Sequence, residues 1–292
     1  MAGTISIVGA GRVGTTLGKR LRQLGWRVGA VVTRSQKTSQ AAVRAIGGGK
    51  PLARLSAEVL ASDVILVTTP DDALGQAASE LSKFGGREWQ GQVVLHTSGA
   101  LDRGVLAPLA KRGAATGSLH PMQTFSGRNV PKLAGVTFAV EGDAKALRIA
   151  KQIARNLGGV PVAIASKDKP AYHATAVLAA GSGFALIEAA VQMLEKIGFA
   201  RRRALETLLP LTRQMLDNVE RLGPRAAWTG PLSRGDFAVI AKHVKALRGY
   251  PREFQDSYAA LALLAGRVLA RKPDATLRDL RRALKKSKGD NR

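Results

Sequence analysis

The chain has no cysteine. Disulfides, thiolate metal sites and cysteine nucleophiles are therefore excluded, and a reducing, cytoplasmic setting fits the composition. Histidine is scarce, with four residues in 292, so a histidine-rich metal centre is not expected. Aromatic residues make up only 4%, which leaves no row of stacking platforms for single-stranded nucleic acid. Acidic residues are also short: 21 Asp and Glu face 45 Lys and Arg, a net charge of +24. An excess of that size suits either a polyanionic partner or a phosphorylated cofactor. The bases are spread along most of the chain, and only residues 267–292 are dense in them. Specific nucleic-acid binding is therefore not expected, and the tail reads as a solvated segment. The first apolar run begins almost at Met1, so no leader is expected. The charge-free run 170–187 has about the length of a membrane span, near 20 residues. It also carries Tyr172, His173, Thr175, Gly181, Ser182 and Gly183. It reads as a buried helix of a core or dimer interface, with no membrane contact.

The most informative stretch is TISIVGAGRVGTTLG, residues 4–18. Residues 5–8 read as a buried strand, and Val13, Leu17, Leu21 and Leu24 recur at helical spacing. Between them Gly9-Ala10-Gly11-Arg12-Val13-Gly14 forms G-x-G-x-x-G, the turn of a dinucleotide-binding unit. Gly9 permits the tight turn, Gly11 leaves room for a pyrophosphate, and Gly14 lets helix and strand pack closely. The free N–H groups at the helix start then face the phosphates. The second strand, 27–33, ends in Thr33-Arg34-Ser35 rather than in an acid. A carboxylate there would repel a ribose 2′-phosphate, whereas an arginine and two hydroxyls would bind it, so the expected cofactor is NADP(H) rather than NAD(H).

Further short apolar runs at 64–67, 93–95, 114–119, 136–140 and 159–164 read as strands, and 39–46 and 144–157 as helices, with 47–51 as a loop. This is α/β with a mainly parallel sheet. Ligands of such sheets sit outside the carboxyl ends of the strands. Thr68, Thr69 and Pro70, and then Thr97, Ser98 and Gly99, are accordingly cofactor candidates. Past Ser166 no strand is evident; helices are expected at 171–197, 203–221, 237–247, 253–270 and 277–284. The expected division is a nucleotide-binding domain over 1–165 and an all-α domain over 166–292.

The segments IVGAGRVG, VTTPDDAL, HTSGAL, SLHPMQTF, KPAYHATAVLAAG and TGPLSRGD together resemble one group over nearly the whole chain. It is the Rossmann-like NADP oxidoreductases that carry a C-terminal helical domain of unknown function, DUF2520. More distantly the chain is similar to pyrroline-5-carboxylate reductase, ketopantoate reductase and the 3-hydroxyacid dehydrogenases. The resemblance implies the two-domain architecture of 6-phosphogluconate dehydrogenase, NADP(H) and substrate between the domains, and a homodimer through the helical domain. With that domain order, Arg34 and Arg234 point to reduction of a small anionic oxo acid, ketopantoate-like, or of an imine.

Such a reduction needs a proton donor beside the hydride donor. The candidates are His120, Lys169, His173 and Asp236. Lys169 and His173 lie four apart, so they share a helix face. The distant relatives use a lysine and, four residues later, an asparagine; His173 stands in the second place and can donate near neutral pH. Gln123, Ser182 and Arg234 are candidate substrate contacts, Arg234 by a fork to a carboxylate. Asp236 alternatively caps the next helix. His96 and His243 read as structural. The group tends to carry an asparagine near Gly181, and this chain does not. An alternative reading is therefore a catalytically inactive NADP(H)-binding sensor or interaction protein.

Overall fold

A computed structural model describes residues 3–86, 89–126 and 130–289, with side chains given up to 285. Part of the basic tail read from the sequence, namely the side chains of Lys286 and Lys288 and all of residues 290–292, lies outside the described residues. The chain runs β1 (Thr4–Val8), α1 (Arg12–Gln23), β2 (Arg27–Val32), α2 (Gln36–Ile46), β3 (Lys50–Leu52), β4 (Val64–Val67), α3 (Asp71–Leu81), β5 (Val93–His96), α4 (Ala107–Ala110), β6 (Ala115–Pro121), β7 (Thr137–Gly142), α5 (Ala144–Asn156) and β8 (Val160–Ala163). The helices that follow are α6 (Lys169–Ala176), a π-helical turn (Val177–Gly181), α7 (Ser182–Lys196), α8 (Arg201–Leu222), α9 (Pro224–Ala227), α10 (Pro231–Arg234), α11 (Phe237–Ala246), α12 (Arg252–Val268) and α13 (Pro273–Gly289). By contacts the chain divides into two units, Met1–Ser182 and Gly183–Arg292. The strands end where the sequence places the change of pattern, while α6 and the π-turn group with the sheet.

The first unit is built on an eight-stranded sheet of order β3-β2-β1-β4-β5-β6-β7-β8. All neighbours are parallel except β6 and β7. Central strands of such a sheet are covered on both faces, so they read as unbroken apolar runs. Successive residues of β4 serve opposite faces: Leu66 packs with Leu17, Leu21, Leu95, Leu119 and Phe138, while Ile65 and Val67 pack with Leu74, Leu81, Trp89 and Leu106. Caps fix where two of the covering helices begin. Ser35 Oγ accepts from Thr38 N at 3.2 Å, and Asp143 Oδ1 accepts from Ala146 N at 3.0 Å. The loop expected at 47–51 instead gives way to β3, which carries Pro51. A proline is tolerated there because β3 is an edge strand.

The second unit is helical and has a small core, Ile240, Ala262 and Leu280, with Leu232, Phe237, Tyr258, Leu263 and Leu284 around it. The apolar helix read as buried is not buried within this chain. Ser166–Lys196 is long and apolar enough to cross a membrane by length and composition, and 6% of its most apolar window is buried. Val177, Leu178, Phe184 and Leu186 are exposed, whereas Lys169 and Val191 are buried. Uniform apolarity does not say which side of a helix packs, so the sequence could not show this. Nor does any described group explain Gly183 by close approach, since a Cβ there would have no neighbour within 4 Å.

Leu66 is fully buried in the central strand β4. Leu66→Ala is expected to cost about 3 kcal/mol in urea unfolding, with the slope unchanged. A loss under about 1 kcal/mol would contradict the close packing of that face.

Candidate active site

The carboxyl ends of β1, β4 and β5 lie side by side in register, and β6 runs on past Ser118, the partner of His96, to Pro121. At the end of β1, Gly9 has φ +85°, and a Cβ on it would lie 2.7 Å from Thr69 N. A Cβ on Gly14 would collide with Thr68 Oγ1, which donates to Gly9 O at 2.7 Å. The first and third glycines are thus required by the approach of β4, not by a ligand. Gly11 differs. It is the N-cap of α1, with no side-chain cap and no acid in the first turn. A Cβ on it would meet only Gly9 O, at 3.9 Å. The first N–H groups of α1 therefore open onto free space beside Gly11, Ala10, Arg12 and Val13. Thr69 Oγ1 next to this turn is buried with no partner. A dinucleotide pyrophosphate fits this donor set.

At the end of β2, three hydroxyls touch. Thr38 Oγ1 lies 2.6 Å from Thr33 Oγ1 and 2.8 Å from Ser35 Oγ. They sit at the N-terminus of α2, which has no acid in its first turn, and Arg34 beside them is exposed. Thr38, not singled out from the sequence, completes this hydroxyl cluster; its signal was the Ser35-x-x-Thr38 spacing.

The turn after β5 is pinned. Ser98 Oγ donates to Asp71 Oδ2 at 2.8 Å and accepts from Ala100 N and Leu101 N at 3.2 and 3.0 Å. His96 Nδ1 accepts from Ser98 N, and Nε2 lies 3.2 Å from Asp102 O. Burial, helped by the charge of Lys169, holds His96 neutral down to about pH 3. The Ser98 hydroxyl is thus occupied by the turn itself, which leaves Thr97, the backbone and Gly99 as the surfaces offered to a ligand.

Gly99 is where the site residues converge. A Cβ on it would lie 2.6 Å from His173 Cδ2 and 2.8 Å from His120 Nε2. The His120 and His173 rings meet edge to face at 5.8 Å between centroids. His120 Nδ1 lies 3.0 Å from Tyr172 Oη. Burial first, then the nearby His173 and Lys169, pushes His120 down to about 4, so its imidazole is neutral at pH 7. Burial pushes the Tyr172 phenol up to about 12, so it keeps its proton. Tyr172 was not singled out in the sequence, although its spacing of three from Lys169 places it on the same helix face.

Lys169 stands apart from this group. It is 1% exposed, and its Nζ donates to Ser118 Oγ at 2.7 Å and to Ser98 O at 3.1 Å. Burial lowers it to about 8, against the pull of Glu141, Asp102 and Asp71. The amine is thus enclosed between the turn after β5 and β6 rather than open to solvent. Gln123 follows β6 and its Oε1 accepts from Thr124 N at 2.8 Å. Ser182 closes the π-turn that contains Gly181. Arg234 and Asp236 belong to the second unit and pair with each other at 3.1 Å. Asp236 makes no side-chain cap to α11, so the capping alternative is not realised. His243 in the same unit bonds Tyr258 Oη at 2.8 Å.

Residues 2–121 match the Rossmann-like domain family, and residues 136–265 match the domain of unknown function DUF2520. The chain therefore carries a Rossmann-like domain followed by a DUF2520 domain. Among solved structures it resembles a Bacteroides fragilis protein provisionally named an NADP oxidoreductase, at 23% identity, TM-score 0.74, covering 89% of this chain and 96% of that one. It also resembles an imine reductase from a Pseudomonas species, at 20% identity, TM-score 0.68, covering 99% and 100%. A pyrroline-5-carboxylate reductase from Streptococcus pyogenes follows, at 16% identity, TM-score 0.59, covering 98% of each chain. These likenesses establish a shared fold. No curated protein sequence matches the chain.

Both His96 and His120 are held neutral below the ordinary imidazole range. The unfolded chain then binds more protons than the folded one between about pH 4 and 6.5, so stability rises with pH across that window. Urea unfolding from pH 4 to 7 is expected to show this rise, followed by a plateau. A flat profile would contradict the burial of both rings.

Proposed function

We propose that this chain, a Rossmann-like domain joined to a DUF2520 domain, is an NADP(H)-dependent oxidoreductase. Its substrate is a small oxo acid of the ketopantoate kind, or an imine, whose C=O or C=N bond is reduced. The observation that carries this reading is the His120–Tyr172 pair against Gly99, on the same sheet edge as the glycine turn. The α1 N-terminus at Gly11 would hold the pyrophosphate, and Thr33, Arg34, Ser35 and Thr38 a 2′-phosphate. Thr68, Thr69, Pro70, Thr97 and Gly99 would line the nicotinamide. The bound cofactor supplies the hydride. Tyr172 Oη gives its proton to the oxygen or nitrogen of the reduced bond. The Tyr172 oxygen, held by His120 Nδ1 at 3.0 Å, then regains a proton from water.

The chain is also proposed to be a homodimer through its helical unit. Leu211, Met215, Leu216, Leu222, Leu261, Leu264 and Val268 on α8 and α12 are exposed, more apolar surface than an isolated helical domain usually leaves to water. Sedimentation at micromolar concentration should give twice the 30.8 kDa chain mass; a monomer would contradict this.

Thermal-shift titration tests the cofactor. NADPH is expected to raise the melting temperature at lower concentration than NADH, and Arg34→Glu should reverse the order. Equal responses to both cofactors would sink the 2′-phosphate assignment. In NADPH oxidation with a panel of 2-oxo acids and cyclic imines, Tyr172→Phe should lower kcat by about 10²-fold or more with NADPH affinity retained. Saturable NADPH binding with no turnover of any member would instead favour a non-catalytic binding protein.

A further inference from the structure

The buried Lys169 has no place in the proton path, yet burying an ammonium is costly unless its donors are satisfied. Its two bonds define a specific position. Ser118 and His120 are two apart on β6, so their side chains leave the same face of the strand. Lys169 and Tyr172 are three apart on one face of α6. Strand and helix are therefore joined by two rungs: Lys169 Nζ to Ser118 Oγ at 2.7 Å, and Tyr172 Oη to His120 Nδ1 at 3.0 Å. The first rung is fully buried and charge-assisted, and the second is only partly buried. Lys169 also holds Ser98 O, the carbonyl immediately before Gly99. One cation thus ties together the strand that carries His120, the turn that carries Gly99, and the helix that carries Tyr172 and His173. The nearest acids leave it free for this task. Glu141 accepts from Arg103 N and Ser166 Oγ, Asp71 accepts from Ser98 Oγ, and Asp102 accepts from Gly104 N.

We propose that Lys169 is a positioning residue, which acts through Ser118 and the Ser98 carbonyl to hold His120, Tyr172 and His173 around Gly99, and does not itself deliver a proton. The inference rests on the reading of the His120–Tyr172 pair given above. A group within contact of Gly99 tolerates little displacement, and a shift of about 1 Å at a reacting group costs on the order of 10²-fold in rate.

The test compares Lys169→Met, Ser118→Ala and the double variant in the full chain. Ser118→Ala keeps the amine and removes only its strand partner. Expected are a fall in kcat of about tenfold or more in each single variant, no further fall in the double, and a KM for NADPH within about twofold of the parent. The alkaline limb of the pH–rate profile should stay where it is in Lys169→Met. The ring signals of His120 and His173 in NMR spectra should move in both single variants. Two results would overturn the proposal: full kcat and unmoved ring signals in Ser118→Ala, or loss of the alkaline limb in Lys169→Met. If the parent turns over no substrate, the functional reading fails and the ring signals alone decide the positioning role, since signals unmoved in Ser118→Ala would still reject it.

Discussion

The approach of β4 to the β1–α1 turn is the constraint on which the rest of the first unit depends. No side chain larger than hydrogen fits at Gly9 or Gly14 while Thr68 and Thr69 stand where they do. That contact sets the height at which α1 starts, and so places its unsatisfied N–H groups at the strand ends. It also leaves Gly11, the one glycine of the three with room around it, facing outward. The same three residues thus serve two purposes, two of them packing and one of them access, and only the structure separates the roles.

Burial then sets the electrical character of the neighbouring cluster. The sheet edge holds the imidazoles of His96, His120 and His173, the Tyr172 phenol and the Lys169 ammonium. In water an imidazole takes up charge just below neutral pH. Here desolvation keeps His96 and His120 neutral and Tyr172 protonated, and Lys169, the one buried cation among the described residues, satisfies its donors on a hydroxyl and a carbonyl. A neutral donor pair beside a fixed cation is a setting in which negative charge on a reacting atom is favoured.

Much of this was legible in the sequence. The strand–glycine–helix opening, the parallel run of buried strands and the change to helices after residue 166 all follow from periodicity and turn chemistry. His120 and His173 were visible as polar residues at a strand end and at a helix start. What was not legible has physical causes. Lys169 and His173 share a helix face, yet a spacing of four does not say which of the two lies deeper, so the burial of the amine could not be read. Tyr172 was hidden because a tyrosine in an apolar run reads as core until its hydroxyl is seen to have a partner. The strand β3 is three residues long and contains a proline, which gives a loop signal. The helix has no charged residue from Pro170 to Ile187, so the exposure of Val177, Leu178, Phe184 and Leu186 could not be inferred from the pattern.

The central claim is that the glycine turn and the Gly99 cluster form one site, with the proton donor beside the reacting carbon of a bound nicotinamide. A crystal structure of the NADP+ complex tests it most directly. The account predicts the pyrophosphate on the amides that follow Gly11, the 2′-phosphate among Thr33, Arg34, Ser35 and Thr38, and the nicotinamide against Gly99 within reach of Tyr172 Oη. A cofactor seated elsewhere, or a nicotinamide turned away from the His120–Tyr172 pair, would contradict it.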